Sequence, residues 1–374
     1  MSRAPNELLI GAPDAQARLS TPCLLLEADA FEHNLAAMMD MVHRHGRGLR
    51  PHVKAHKCAA IGRRQLEAGA VGLCCATVRE AEVMAAAGLD GLLVTSPVTA
   101  PGMVERLARA RARVDLAVVV DSEAGLVALA AAASADRPLG AVVEIDVGQG
   151  RTGVTSPEQA VRLARRIEGL PQLRYCGVQA YYGHLQHVPA YAERRARVAE
   201  QWARLQPFLD ALAAEGLRPE IVTGGGTGTH LLDLEEGPFT EIQPGSYLFM
   251  DKQYGAVELA PGATPFRTSL TIATRVISAN QPDVVVVDAG FKAMATDAGP
   301  ALVASGASAE ATYQFMGDEH GGLRLAAGAA RPAVGDLVTL LAPHCDPTVN
   351  LHDWFHVMQN GRLLEIWRID ARGY

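Results

Sequence analysis

The chain has 374 residues, 49% of them hydrophobic and 20% charged, with a formal net charge of -7. That length predicts roughly two soluble domains with ample core, and the acidic balance argues against nucleic acid as the main partner. No apolar stretch reaches membrane-spanning length without charge, since even Leu116–Ala133 carries Asp121 and Glu123.

Met1–Ser20 lacks a charged-then-apolar signal pattern. Six cysteines (Cys23, Cys58, Cys74, Cys75, Cys176 and Cys345) show no CxxC spacing and lie mostly in apolar runs. They read as buried free thiols of a reducing compartment rather than disulfides or a zinc knuckle, so the expected setting is cytoplasmic.

In chain order, the stripe Phe31, Leu35, Met38 and Val42 steps by four, three and four and predicts a helix. Strand-like runs follow at Leu49–Lys54, Val71–Cys75, Gly91–Thr95, Val114–Val119, Ala141–Ile145, Cys176–Ala180, Glu220–Thr223 and Thr240–Gln243. Helical stretches lie between most of them. The longest carries Val198, Trp202, Leu205, Leu209 and Leu212 on one face, with Pro207 expected to kink it. Eight such β/α units predict a TIM-type (β/α)8 barrel over residues 21–260, a doubly wound sheet being the alternative.

After residue 260 the rhythm changes. Thr268–Ser278, Asp283–Asp288 and Asp336–Leu341 read as strands, and Asn360-Gly361 between Trp354–Met358 and Leu363–Ile369 is a two-residue hairpin signal. Residues 261–374 are therefore expected to form a mostly β domain, with residues 1–20 packing against it.

In a barrel, function collects just after each strand. Lys54, in Arg50-Pro51-His52-Val53-Lys54-Ala55-His56-Lys57, is expected at the end of the first strand. Two histidines and a second lysine nearby would oppose its protonation and free the amine for a Schiff base with a carbonyl such as pyridoxal phosphate. A basic solvated loop is the alternative.

The run Gly224–Thr229 follows the seventh strand, and Gly245-Ser246 the eighth. Backbone N–H groups around Gly225, Gly226 and Thr227, with donors from Gly245 and Ser246, suit a phosphate; a flexible turn is the bland reading. Arg151 is a candidate contact to a cofactor oxygen or carboxylate, or a surface ion pair. Tyr181 is a candidate ring contact or a core tyrosine. His187 and His184 compete as a general base near neutral pH, and either taken singly reads as structural.

A second cluster, Pro343-His344-Cys345-Asp346-Pro347, follows a β run. In extended chain His344 and Asp346 point the same way, a two-donor site suiting manganese, magnesium or another divalent ion and completed by water. Asp318-Glu319-His320 is the candidate source of outer partners, or an exposed turn.

Pro51–Lys57, Glu144–Gly153, Gly224–Thr229 and His344-Cys345-Asp346, in that order, resemble the D-threonine aldolase family. That family stands with the alanine-racemase-like pyridoxal-phosphate enzymes and includes β-hydroxyaspartate aldolases and D-serine dehydratases. The resemblance runs from Thr21-Pro22-Cys23 to Ala371-Arg372-Gly373-Tyr374. It implies a homodimeric enzyme with pyridoxal phosphate on Lys54, contacts from Arg151 and Tyr181, a catalytic His187, and a divalent metal, manganese first, on His344 and Asp346.

The activity implied is retro-aldol cleavage of D-β-hydroxy-α-amino acids to glycine and an aldehyde or glyoxylate. The dehydratase branch, which releases a keto acid and ammonia, typically has cysteine where this chain has Asp346, and the carboxylate favours the aldolase. Tyr182, beside the matched tyrosine, is expected to tune the substrate pocket. A non-catalytic pyridoxal-phosphate carrier is a third reading, but it would need neither His187 nor the His344–Asp346 pair.

Overall fold

A computed structural model describes residues 4–373; residues 1–3 and Tyr374, at the ends of the expected domains, lie outside the described residues. Its strands are β1 (Cys23–Glu27), β2 (Gly48–Leu49), β3 (Leu73–Cys75), β4 (Leu92–Val94), β5 (Leu116–Val120) and β6 (Leu139–Ile145). They continue with β7 (Leu173–Ala180), β8 (Ile221–Gly224), β9 (Glu241–Ile242), β10 (Leu270–Ser278), β11 (Val284–Val287) and β12 (Leu302–Ser305). The last are β13 (Thr312–Phe315), β14 (Gly321–Arg324), β15 (Leu337–Leu341), β16 (Trp354–Gln359) and β17 (Arg362–Arg368).

All eight strands expected of the barrel form, as β2 to β9, in one parallel sheet ordered β2-β9-β8-β7-β6-β5-β4-β3. The ring is completed by a parallel bridge between His52 and Cys74 and by Val71 N–H donating to the Leu49 carbonyl at 2.8 Å. A parallel sheet is covered on both faces, which is why these runs are mostly apolar, with polar side chains such as Glu144, Gln179 and Glu241 buried among them.

The barrel interior is filled by small side chains: Cys74, Leu93, Val119, Val142 and Cys176 form one buried cluster. A Cβ at Gly140 would stand 2.7 Å from that of Ala117 and 3.0 Å from Cys176 Sγ, so the strand passes where only glycine fits. All six cysteines are buried and free.

The stripe Phe31, Leu35, Met38 and Val42 is buried on helix Ala28–Arg44. The long helix Tyr191–Ala214 runs on through Pro207, where a kink was expected. Several helices start at the barrel mouth on their own caps. Thr77 accepts from Glu80 N–H at 3.2 Å and Ser122 from Gly125 N–H at 3.3 Å, each cap contributing about 1 kcal/mol.

Arg50 holds the seam. Its Nε and Nη2 bond both carboxylate oxygens of Glu241 on β9, at 2.7 and 2.9 Å, and Nη1 donates to the Gly91 carbonyl. Both side chains are about nine-tenths buried. Arg50→Ala strands a buried carboxylate, so we predict a loss of about 3–5 kcal/mol, read from urea unfolding; an unchanged midpoint would contradict this role.

In the second sheet β11 pairs with both β14 and β10, so β10-β11-β14-β13-β12-β15 close into a ring, extended by β1, β16 and β17. Asn360 and Gly361 take φ of 49° and 76°, the left-handed pair that the hairpin signal demands.

One placement differs from expectation. Strand β1, put with the barrel by a boundary at residue 21, pairs with β10 and β16 in this second sheet. Leu9, Ala15 and Leu19 pack beside it against Ala273, Met358 and Leu363. The chain thus begins in the β layer, enters the barrel, and returns. At the other end Ala371 N–H bonds the Lys57 carbonyl at 2.9 Å and the Asp370 carboxylate caps Ala59 N–H at 3.0 Å. This tail ties the β layer to the turn that carries Lys54.

Candidate active site

The strand expected to run to Lys54 ends sooner. After β2 and the His52 bridge, Val53–Ala55 makes one 3-10 turn, burying Val53 and Ala55 while the Lys54 side chain remains 42% exposed toward the mouth. The neighbouring cations do not converge on it. His56 is buried, accepts from Cys58 N–H at 3.1 Å, and is pushed down to about 4 by burial; Lys57 pairs with Glu80 at 2.8 Å.

Lys54 Nζ instead contacts Asp346 Oδ2. Desolvation opposes its charge, but the Asp346 carboxylate and then Tyr181 outweigh this and lift the amine above the usual lysine range. The expected lowering is therefore reversed, because tertiary structure supplies a counter-charge from about 290 residues along the chain.

Lys54 opens onto a cavity of about 220 Å³ at the C-terminal ends of the barrel strands. Arg151, Tyr181, Gly225, Gly226, Thr227, Gly245 and Ser246 all line it, as do His52, Thr95, Gln179 and Gln243. Of these last four, His52 entered the sequence reading only as a charge beside Lys54, and the other three not at all. They form a polar floor in which His52 Nε2 meets Thr95 Oγ1 at 3.2 Å and Gln243 Nε2 donates to Gln179 Oε1 at 3.1 Å.

Arg151 sits on a loop shaped by Asp146, whose Oδ1 accepts from Gly148 and Gly150 N–H. Its guanidinium lies 5.4 Å from the centroid of the Tyr181 ring.

The segment after β7 separates its candidates. His187 lies at the rim, its ring 4.6 Å from that of Tyr254, which itself lines the cavity. Desolvation lowers its pKa against the opposing charge of Asp251, with His344, Asp346 and Lys54 also acting on it. It is thus biased toward the neutral, proton-accepting form.

His184 turns outward to Gln149 at 3.0 Å. Tyr182 is not a pocket residue either: it is buried, donates to Asp233 Oδ1, and accepts from Trp202 Nε1 at 3.1 Å.

Asp233 was invisible in the sequence. It is fully buried, and burial lifts it from 3.8 to about 7 against hydrogen bonds from Thr229 and Tyr182. Between those two values the folded chain keeps a proton that the unfolded chain has released, so this group makes stability fall as pH rises from about 4 to about 7. Asp233→Asn is predicted to remove that slope from urea midpoints measured across the range; an identical slope in the variant would refute it.

His344 and Asp346 come to the same mouth, though not as extended chain. His344 is extended, but Asp346 lies in the first turn of a short helix, Cys345–Val349. Asp346 Oδ1 accepts from Ser246 Oγ at 3.2 Å, and the Lys54 and His344 charges hold its carboxyl below the usual range against desolvation. Buried Asp251 joins the two parts, accepting from Tyr254 N–H at 2.9 Å and Cys345 N–H at 2.8 Å.

Asp318 and Glu319, expected as outer partners, pair with Lys292 instead. The partner of His344 is Asp297, whose Oδ2 lies 2.7 Å from Nδ1. Among the described residues no group of three or more His, Cys, Asp or Glu side chains is arranged to hold a metal ion.

A parallel barrel with a lysine at its mouth and a glycine-rich turn lining the same cavity suits a phosphate-bearing carbonyl cofactor. Comparison with known proteins agrees. Residues 26–253 match the alanine racemase N-terminal domain and residues 269–358 a putative serine dehydratase domain. The chain is 39% identical to a 3-hydroxy-D-aspartate aldolase of Paracoccus denitrificans, covering 96% of this chain and 93% of that one. It is 39% identical to a D-threonine aldolase of Arthrobacter, covering 96% and 95%. The crystal structure of the D-threonine aldolase from Filomicrobium marinum superposes with a TM-score of 0.89 at 36% identity, covering 96% of each chain. The chain belongs to the D-threonine aldolase and 3-hydroxy-D-aspartate aldolase family of alanine-racemase-like proteins.

The residues fit pyridoxal phosphate. Among the described residues, the N–H groups of Gly225, Thr227 and Gly245 have no protein acceptor, and all three line the cavity. His52 also lines the cavity; its Nε2 donates to Thr95 Oγ1, which leaves the unpartnered Nδ1 as an acceptor and not a phosphate donor. Unsatisfied donors around a cavity suit a phosphate, and a lysine beside them suits the aldehyde.

Proposed function

We propose that the protein cleaves D-β-hydroxy-α-amino acids by a retro-aldol reaction, giving glycine and an aldehyde or glyoxylate. One observation carries this reading. Lys54 contacts Asp346, so the cofactor lysine and the His344–Asp346 pair serve one mouth, with His187 at its rim. As a member of its family the protein is a carbon–carbon lyase of D-threonine aldolase type.

Lys54 would hold the cofactor through its carbonyl. The cradle N–H groups and Ser246 would hold the phosphate, and Arg151 with Tyr181 would face the ring. When bound, pyridoxal phosphate supplies a sink for the electron pair left on Cα when Cα–Cβ breaks. His187 is placed to accept the β-hydroxyl proton, since desolvation favours its neutral form. Tyr254, packed against His187 with the rings tilted by 44° and held by Asp251, keeps that ring at the rim.

His344 and Asp346 would hold a divalent metal, manganese or magnesium, that acidifies the β-hydroxyl. Two protein donors leave the remaining positions to water and substrate. The Asp297 contact at Nδ1 leaves Nε2 of His344 as the donor, the usual carboxylate-to-histidine support of a ligating ring. The homodimer and the cytoplasmic setting belong to the same proposal, supported by the family resemblance and the six buried free thiols.

The match of residues 269–358 to a putative serine dehydratase domain keeps one rival in view. Incubation with pyridoxal phosphate, manganese and D-threonine or D-β-hydroxyaspartate, with and without chelator, separates the two. We predict glycine with acetaldehyde or glyoxylate, suppressed by chelator. A keto acid and ammonia would replace this reading with the dehydratase.

A further inference from the structure

The most anomalous side chain outside the reacting groups is Asp233, on helix His230–Glu235. It is a carboxyl at 0% exposure whose bonded partners are Tyr182 and Thr229, both neutral. A buried carboxylate without a cation is costly, and an apolar residue would avoid the cost. Its position shows what it does. Oδ2 lies directly beneath the glycine-rich turn, since a Cβ at Gly225 would stand 2.2 Å from it.

Counting protons fixes the directions of the bonds. Thr229 Oγ1 receives N–H from Gly226 at 3.2 Å and from Gln186 Nε2 at 3.1 Å. Its own proton must therefore go elsewhere, and Asp233 Oδ2 stands 2.6 Å away. Tyr182 accepts from Trp202 Nε1, so the phenol proton goes to Asp233 Oδ1. Two hydroxyl protons converge on one side chain, and its ionised form, which prevails above about pH 7, accepts both.

The same network decides which backbone groups remain for a ligand. Gly226 N–H is drawn inward to Thr229, and Gly228 N–H to Gln186 Oε1 at 2.9 Å. Among the described residues, those of Gly225 and Thr227, the alternate positions, are left without a protein acceptor. Tyr182 carries the other end of the network into the segment that holds Tyr181 and His187.

We propose that Asp233 is the positioning residue of the phosphate cradle. Through Thr229 it turns the Gly225 and Thr227 N–H groups to the cavity, and through Tyr182 it holds the adjoining segment in register with them. The inference rests on the reading of the cavity as a site for a phosphate-bearing cofactor.

The test compares the full chain, freed of cofactor, for its affinity toward pyridoxal phosphate and toward pyridoxal, which lacks the phosphate. Asp233→Asn leaves an amide N–H₂ facing one of the two hydroxyl protons. It should lower the preference for the phosphorylated ligand by about tenfold or more while leaving pyridoxal affinity within about threefold. Thr229→Val should do the same, and Thr229→Ser, which retains the hydroxyl, should keep the wild-type preference. These two variants carry the test if Asp233→Asn does not fold.

An unchanged preference in both Asp233→Asn and Thr229→Val, or an equal loss for both ligands, would overturn the positioning role. A wild-type chain that does not prefer pyridoxal phosphate over pyridoxal would overturn the phosphate reading beneath it.

Discussion

Replacing Lys54 by alanine is expected to abolish the Schiff-base absorbance and to lower turnover by about 10³-fold or more, at least ~4 kcal/mol in the barrier. The side chain is the amine among the cavity-lining residues that can bond the cofactor carbonyl, and the nearby cations offer no substitute. Lys57 pairs with Glu80, and Arg151 cannot serve as an amine nucleophile. The fold should survive, because the Lys54 side chain is 42% exposed and Asp346 keeps its bonds from Ser246 and Cys345. The check is the absorption spectrum of the reconstituted variant beside its unfolding curve. A surviving Schiff-base band on a folded protein would remove Lys54 from the chemistry.

The second large effect is expected at the pair from the other domain. Asp346→Ala should lower glycine formation by about 10²- to 10⁴-fold, because it removes the proposed metal donor together with the counter-charge of Lys54 and the acceptor of Ser246. His344→Ala removes the other proposed metal donor while leaving the Lys54–Asp346 contact in place. Both should weaken manganese binding, which titration followed by electron paramagnetic resonance reads directly. Asp297→Asn, which disturbs only the support of the His344 ring, should weaken it by about 10- to 100-fold. If His344→Ala binds manganese as well as the wild type, the metal lies elsewhere. If Asp346→Ala alone loses activity, the carboxylate matters through Lys54 and not through a metal.

Much of this was legible in the chain because local rules and global structure agree. The eight apolar runs are buried on both faces of a parallel sheet, so each reads as a strand without reference to its partners. Asn360-Gly361 dictates its own hairpin. Lys54, Arg151, Tyr181, the glycine cradle and Ser246 follow barrel strands, and the fold gathers whatever follows those strands at one end. Strands β12 to β14 were missed because they are four residues each, largely exposed in β12 and glycine-bearing in β14, which leaves little periodicity to detect.

What the amino-acid order determined by itself was therefore the barrel, the β domain after it, and which residues would stand at the mouth. Only the tertiary structure decided which partner each one meets. Asp346 reverses the expected charge bias of Lys54, Asp297 replaces Asp318 and Glu319 at His344, Tyr182 turns into the core, and Asp233 lies beneath the glycine-rich turn. The physical reason is common to the first three, whereas Asp233 reaches Thr229 only four residues away and owes its role to burial. Periodicity and turn chemistry act within a few residues, whereas the field and the hydrogen bonds at a buried group come from side chains tens to hundreds of residues away in sequence.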